Sequence, residues 1–328
     1  MTSQGWRLTT WLTVVALTGV LVDVSSQASG HFGVAQPAQP LSAQELMDTV
    51  KLLASPDLEG RRMGTPGNAK ARAWIVEQFK KANLSPLGGS LEIPFTFTRN
   101  GVESKGVNVV GVCRGTGSKT AEAKSSDPLM VISAHYDHLG VREGLTYHGA
   151  DDNASGVAVV LALARHCQRT PWAHDVVFVA FDAEEQGLQG ARAFVAAPPV
   201  AKERIALNVN LDMVSRSATN ELYLAGTYHR PALKPLLEPV AARSQIKLLF
   251  GHDKPKDQSG GVDDWTLQSD HGAFHAAGIP FVYFGVEDHP DYHRPTDTAD
   301  KIDPVFFSRV AQTILDAVTV LDPAIPLK

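Results

Sequence analysis

The chain has 328 residues, 44% of them apolar and 20% charged, which is enough to bury a large core and excludes global disorder. Lysine and arginine total 30 against 35 aspartates and glutamates, a formal charge of −5, so the balance disfavours a nucleic-acid binder. The two cysteines, Cys113 and Cys167, are too few for a disulfide framework; they can form one bridge, and two buried free thiols are the expected state.

The amino terminus reads as an export signal. Arg7 is the only charge before Asp23, and residues 8–22 between them are apolar apart from a few threonines. Roughly 15 apolar residues fall short of the about 20 that a membrane span needs, and small polar residues follow. Residues 1–28 are therefore expected to be a cleaved signal. The mature protein is expected to be secreted or periplasmic, monomeric and without stable membrane association. No cysteine follows the apolar run, so a lipid anchor has no support. Residues 29–40, with Gly30, Gly33, Pro37 and Pro40, read as a linker.

Ser42, with Glu45 three residues on, has the pattern of a capping box, and the apolar periodicity behind it predicts a helix to about residue 53. A second helix is predicted over 66–82, with Pro66 in its first turn and Ile75, Val76 and Phe79 on its apolar face. Residues 91–97 and 107–113 read as strands. Beyond a polar stretch, 115–127, further strands are predicted at 129–134, 176–181, 205–211, 221–224 and 279–284. Helices are predicted between and after them, at 154–167, 188–196, 231–243, 270–277 and 304–321. Strands apolar on both faces, alternating with helices, specify an α/β fold with a mainly parallel central sheet and helices on both faces. Residues 29–106 are read as linker and lead-in packing on a main domain over 107–328.

The unusual polar residues cluster where strands end. His135, Tyr136, Asp137 and His138 follow the strand 129–134; Asp182, Glu184 and Glu185 follow 176–181; Asp212 ends 205–211. In such sheets the carboxyl ends of the strands form the ligand crevice. Acids and histidines converging there would repel one another without a cation, and nitrogen mixed with carboxylate oxygen suits Zn2+. Residues two apart on an extended backbone share a face, so Asp137 can approach His135 and fix its tautomer. The small residues of Gly149-Ala150-Asp151-Asp152-Asn153-Ala154-Ser155-Gly156 let the backbone turn tightly while an acid points inward. The same residues would serve equally well as a helix cap. Of Glu184 and Glu185, one can hold metal while its neighbour acts as a general base.

These motifs, with Asn210-Leu211-Asp212-Met213, Ser269-Asp270-His271, Ala277-Gly278-Ile279-Pro280 and Tyr292-His293, occur in one order over about residues 107–320. That order closely resembles the secreted bacterial di-zinc aminopeptidases, a family that also contains glutamate carboxypeptidase and glutaminyl cyclase. The resemblance implies a zinc-peptidase architecture, phosphorylase/hydrolase-like, with two zinc ions per chain. Carried over residue by residue, it makes Asp152 a bridging ligand, with His135 and Asp212 completing one site and Glu185 and His293 the other. It makes Glu184 the general base, Asp137 the residue that orients His135, and Tyr292 a support for the oxyanion. The choice of Asp152 over Asp151 rests on its spacing from Ala154-Ser155-Gly156, and the order of the two glutamates rests on the resemblance alone. The implied activity is removal of N-terminal residues from peptides with a free amino terminus.

The alternatives are a single-zinc glutaminyl cyclase, a carboxypeptidase of the same fold and a receptor-like ectodomain without catalysis. The cyclases carry a serine after the bridging acid, where this chain has Asn153, and no basic cluster for a substrate carboxylate is evident. His138, His148 and His166 match no ligand position of the family and are expected at the surface or behind the ligands. Arg216 is expected in a structural ion pair. The polar loop 251–265 contains Asp253, Asp257, Gly260-Gly261, Asp263 and Asp264 and is expected to lack regular structure. It is a candidate border of the pocket, with Asp263 or Asp264 on the substrate amine; a solvated surface loop is the competing reading.

Overall fold

A computed structural model describes residues 41–119 and 126–327, together with Met1, Thr2 and Gly5. Contacts divide the chain into Met1–Ala38 and Gln39–Lys328, and every element below belongs to the second unit. The linker and the expected signal, those three residues apart, lie outside the described residues.

α1 (Ala43–Leu53) begins at Ser42, whose hydroxyl accepts the Glu45 N–H, and buries Leu46, Val50 and Leu53. α2 (Pro66–Lys81) is capped by Thr65 and buries Ile75 and Phe79. β1 (Glu92–Arg99) and β2 (Val102–Cys113) form an antiparallel hairpin at one edge of the main sheet. β3 (Leu129–His135) is buried along its whole length, and a separate small hairpin, β4 (Gly140–Arg142) and β5 (Leu145–Tyr147), follows it. Then come α3 (Gly156–Arg169), β6 (Asp175–Phe181), α4 (Gln189–Ala196), β7 (Ile205–Leu211) and β8 (Glu221–Ala225). The chain continues through α5 (Leu233–Arg243), β9 (Lys247–Phe250), α6 (His271–Ala276), β10 (Phe281–Gly285) and α7 (Pro304–Leu321). β4, β5 and β9 have three, three and four residues, too short to register as a periodicity.

The eight-stranded sheet runs β1-β2-β6-β3-β7-β10-β8-β9. β6, β3, β7 and β10 are mutually parallel, whereas β1, β2 and the β10–β8 pairing are antiparallel. On one face α4 and α6 drive Phe194 and Phe274 onto Val110, Val179 and Phe181. On the other α3 packs against β3, β6 and β7, with α1 against α3. α7 is long and apolar enough to cross a membrane, yet Phe307, Val310, Ile314 and Val318 are buried where it packs on α1 and α5.

The cysteines correct the expectation of free thiols: Cys113 and Cys167 are bridged. β2 ends beside the last turn of α3, which brings the two α-carbons within 6.5 Å. Cys113 faces Val176, so the bridge sits at the amino end of β6.

Candidate metal centre

Sheet register places the first two acidic and basic side chains together. Ser133 on β3 pairs with Asn210 on β7, and two residues further along, His135 Nε2 lies 3.2 Å from Asp212 Oδ1. A buried polar ladder supports this edge of the site. Ser133 Oγ donates to Asn210, Asn208 Nδ2 donates to Ser133, and Asn210 Nδ2 donates to Ser269 Oγ.

Asp152 comes from the irregular turn Ala150–Ser155 that opens α3. Its Oδ1 lies 3.4 Å from His135 Nε2, and its Oδ2 lies 3.1 Å from His293 Nε2 and 3.6 Å from His138 Nδ1. Asp151 turns the other way: Oδ1 accepts from the Ser215 N–H and hydroxyl, and Oδ2 meets His289. Asp297 fixes the turn by accepting the backbone N–H of both Asp151 and Asp152. Gly149 precedes them at φ 59°; a Cβ there would sit 2.1 Å from the Asp152 carbonyl oxygen and 2.6 Å from the His138 ring, so only glycine fits. Arg216 pairs with Asp291 at 2.7 Å and approaches Asp297 at 3.6 Å, the structural ion pair expected of it.

Glu184 and Glu185 sit on a tight turn after β6, flanked by the left-handed residues Ala183 and Leu188. The Asp137 carboxylate accepts the Glu184 N–H at 3.0 Å and the Glu185 N–H at 3.3 Å. His135 Nδ1 meets the main-chain oxygen of Asp137 at 3.1 Å, while its distance to the carboxylate is 3.7 Å. Asp137 thus touches His135 chiefly through its carbonyl and commits its carboxylate to the glutamate turn.

His138 departs from expectation. It is buried among the proposed ligands, with Nδ1 2.8 Å from Glu185 Oε1. Its backbone N–H reaches the Arg61 carbonyl. Only its adjacency to Asp137 could have signalled this. Arg61 is a second residue missed from sequence. Fully buried, its guanidinium donates to the carbonyls of Leu53, Tyr136, His148 and Gly149, tying the lead-in to both ligand-bearing loops. The Arg61-Arg62 pair between α1 and α2 carries no pattern that predicts this. His148 contacts the Ala54 carbonyl, His166 packs on Trp172, and His271 contacts the Trp265 carbonyl; none of these three joins the cluster.

His135, Asp152, Glu184, Glu185, Asp212, Tyr292 and His293 all line one cleft of about 620 Å³. The Tyr292 ring stacks on His293 with centroids 3.9 Å apart. The loop 251–265 contains no helix or strand, and its Asp263, Asp264 and Trp265 border the cleft. Asp263 pairs with Lys256, and Asp264 accepts the Thr266 N–H. Arg99 and Arg192 also line the cleft, a basic pair hidden in sequence by the distance between them.

Burial pushes Glu184 and Asp137 well above the usual carboxylate range, raises Glu185, and raises Asp270 to about 7. Burial opposes charge on His135, but Asp212, Glu184 and Asp152 drive its pKa well above the ordinary value. Burial lowers His138 to about 3, leaving a neutral imidazole. This is buried negative charge without sufficient counter-charge, the condition a divalent cation relieves. Among the described residues two donor groups meet that need: His135, Asp152 and Asp212, and His138, Asp152 and Glu185, each with its ligand atoms within 4.8 Å of one another. Asp152 belongs to both. His138 Nδ1 and Glu185 Oε1 are buried without hydrogen-bond partners, despite their proximity. The nitrogen and carboxylate donors fit zinc.

The chain is similar to known proteins. The chain is 28% identical over 263 residues to the aminopeptidase YwaD of Bacillus subtilis (strain 168), covering 76% of this chain and 50% of that protein. It is 28% identical over 247 residues to the BOS complex subunit NCLN of Canis lupus familiaris, covering 69% of this chain and 43% of that one. The chain therefore spans about half the length of these curated relatives. An aminopeptidase from Aneurinibacillus sp. strain AM-1 shares the fold with a TM-score of 0.66 at 18% identity, covering 86% of this chain and 94% of that one. Residues 108–318 match peptidase family M28, and the chain belongs to that family.

Proposed function

We propose that this chain is a zinc-dependent aminopeptidase that removes N-terminal residues from peptides, acting as a monomer outside the cytoplasm. The observation that carries the proposal is the pair of donor groups sharing Asp152. We assign one zinc ion to His135, Asp152 and Asp212 and a second to Asp152, Glu185 and His293. When bound, zinc supplies Lewis-acid polarisation of a carbonyl and a water of lowered pKa. Glu184, its pKa raised by burial, takes the proton of the attacking water and returns it to the leaving amine. The Tyr292 hydroxyl donates to the developing oxyanion. Asp263 or Asp264, at the border of the cleft, receives the substrate ammonium group. The Cys113–Cys167 bridge suits an oxidising compartment and supports export.

Two donor groups, where a single-zinc cyclase needs one, favour the two-metal reading. The second reading is a partner-assembly role without hydrolysis, favoured by the relative named as a BOS complex subunit. Metal content and hydrolysis of aminoacyl-anilides separate the two. We expect two zinc ions per chain, turnover abolished by chelation and restored by zinc, and little hydrolysis of amino-blocked substrates. Glu184→Gln should keep both metals and lose about 10²–10⁴-fold in kcat, whereas Glu185→Gln should weaken metal binding. Full activity in metal-free protein, or no metal bound at all, overturns the proposal.

A further inference from the structure

The ligand scheme above leaves His138 without a role, although it is the most enclosed imidazole of the cluster. Its side chain is fully buried, and neither ring nitrogen has a hydrogen-bond partner. A buried polar atom left unpaired costs about 1–3 kcal/mol, so its retention in a native protein calls for an explanation, and a bound ion is one. The ring is closely packed. Gly149 abuts it closely enough that a Cβ would reach 2.6 Å from Cδ2, and the Arg61 carbonyl holds its backbone N–H. Nδ1 is aimed at Glu185 Oε1, 2.8 Å away, and lies 3.6 Å from Asp152 Oδ2. Glu185 Oε1 is itself unpartnered, and the contact between the two is not directed as a hydrogen bond. Three donor atoms therefore face one point between them.

We propose that His138 Nδ1 is a ligand of the second metal ion, beside Asp152, Glu185 and His293. This rests on the two-metal reading above. It makes the two ions unequal. The ion held by His135, Asp152 and Asp212 has three protein donors and an open position, as catalytic zinc sites do. The second has four protein donors, the number that closes a structural site. His293 is the exposed member, its side chain 39% accessible, while His138 is inaccessible. The second ion is consequently the one retained as chelator is raised, and the first is the one that exchanges.

The experiment is a metal titration of the full-length protein with zinc and with cobalt, on wild type, His138→Ser and His138→Asn. Circular dichroism and thermal melting verify that each variant is folded. Both variants should bind the first-lost equivalent as wild type does and the retained equivalent more than about 100-fold more weakly, beyond the about 10–100-fold usual when only a hydrogen-bonding partner of a ligand is removed. Their cobalt absorption spectra should change with it. Asparagine can still hydrogen-bond to Glu185, so wild-type affinity in His138→Asn would reduce His138 to a hydrogen-bonding role and overturn the proposal. Equal affinities for the two ions in wild type would overturn it as well. In the cobalt-loaded wild type, proton NMR should show a third paramagnetically shifted exchangeable imidazole signal, from Nε2–H of His138, beside those of His135 and His293. Its absence overturns the proposal without any variant. Wild type that binds two ions and hydrolyses peptides while these tests fail would leave the aminopeptidase reading standing; wild type that binds none would remove both.

Discussion

The two ends of the central sheet treat buried polar groups in opposite ways. At the amino end of β6, Asp175 accepts from Arg114, the Gly115 N–H and Ser118, and Asp322 accepts the N–H groups of Ala173 and His174. The Cys113–Cys167 bridge closes the same end. At the carboxyl end, both oxygens of Asp270, both ring nitrogens of His138 and one oxygen of Glu185 have no hydrogen-bond partner among the described residues. Local consistency is what folding selects for, and its violation marks where function has been placed. One end meets its buried polar groups with protein partners, and the other supports the metal-holding role proposed above.

The largest expected effect comes from Arg61, which spans the contrast by stabilising the site end from the lead-in. Arg61→Met leaves four carbonyls without their buried donor and should cost about 3–5 kcal/mol. Denaturant unfolding would measure this, and a loss below 1 kcal/mol would mean the loops are held by other contacts. Next is the disulfide. Cys113→Ser with Cys167→Ser should lower stability by about 2–4 kcal/mol through the freed loop while leaving metal affinity unchanged. A parallel fall in metal affinity would show that the two ends are coupled. Asp137→Asn acts at the site end alone. The amide retains one acceptor for two N–H groups, so the glutamate turn loosens, and metal affinity should fall about 10–100-fold with little change in melting temperature.

The smallest effect is the pH dependence of the far end. Against the opposing effect of burial, the hydrogen bonds from Ser118 and Gly115 and the Arg114 pair hold Asp175 below the usual carboxylate range. A depressed pKa contributes stability above the unfolded value of about 4 and loses it as pH falls through the folded value. Asp175→Asn should therefore flatten the acid side of the stability profile below about pH 5, by ~1 kcal/mol or less. An unchanged acid slope would place the sensitivity at the site end instead, among Glu184, Glu185 and Asp270.

Reading the sequence succeeded where local pattern and chemistry coincide. The runs 129–134 and 205–211 are mostly apolar, broken only by Ser133, Asn208 and Asn210, and lead into His135 and Asp212, so both strands and both side chains are legible. It failed where a side chain answers to a distant backbone. Asp137 carries its carboxylate to a turn beyond β6, a contact no spacing within His135-Tyr136-Asp137 could reveal. The expectation of free thiols failed for the same reason, because the end of β2 meets the end of α3 only once both pack on β6.

What the sequence by itself determined is the α/β alternation, the Ser42 cap of α1 and the order of acids and histidines at strand ends. Those depend on residues a few positions apart, where periodicity and steric preference act directly. The tertiary structure decided which of Asp151 and Asp152 faces the cleft, that His138 lies inside it, that Arg61 braces it, and that the cysteines pair. Each of those turns on the distance between groups far apart along the chain. That distance is fixed by sheet register and helix packing, which no local window of residues contains.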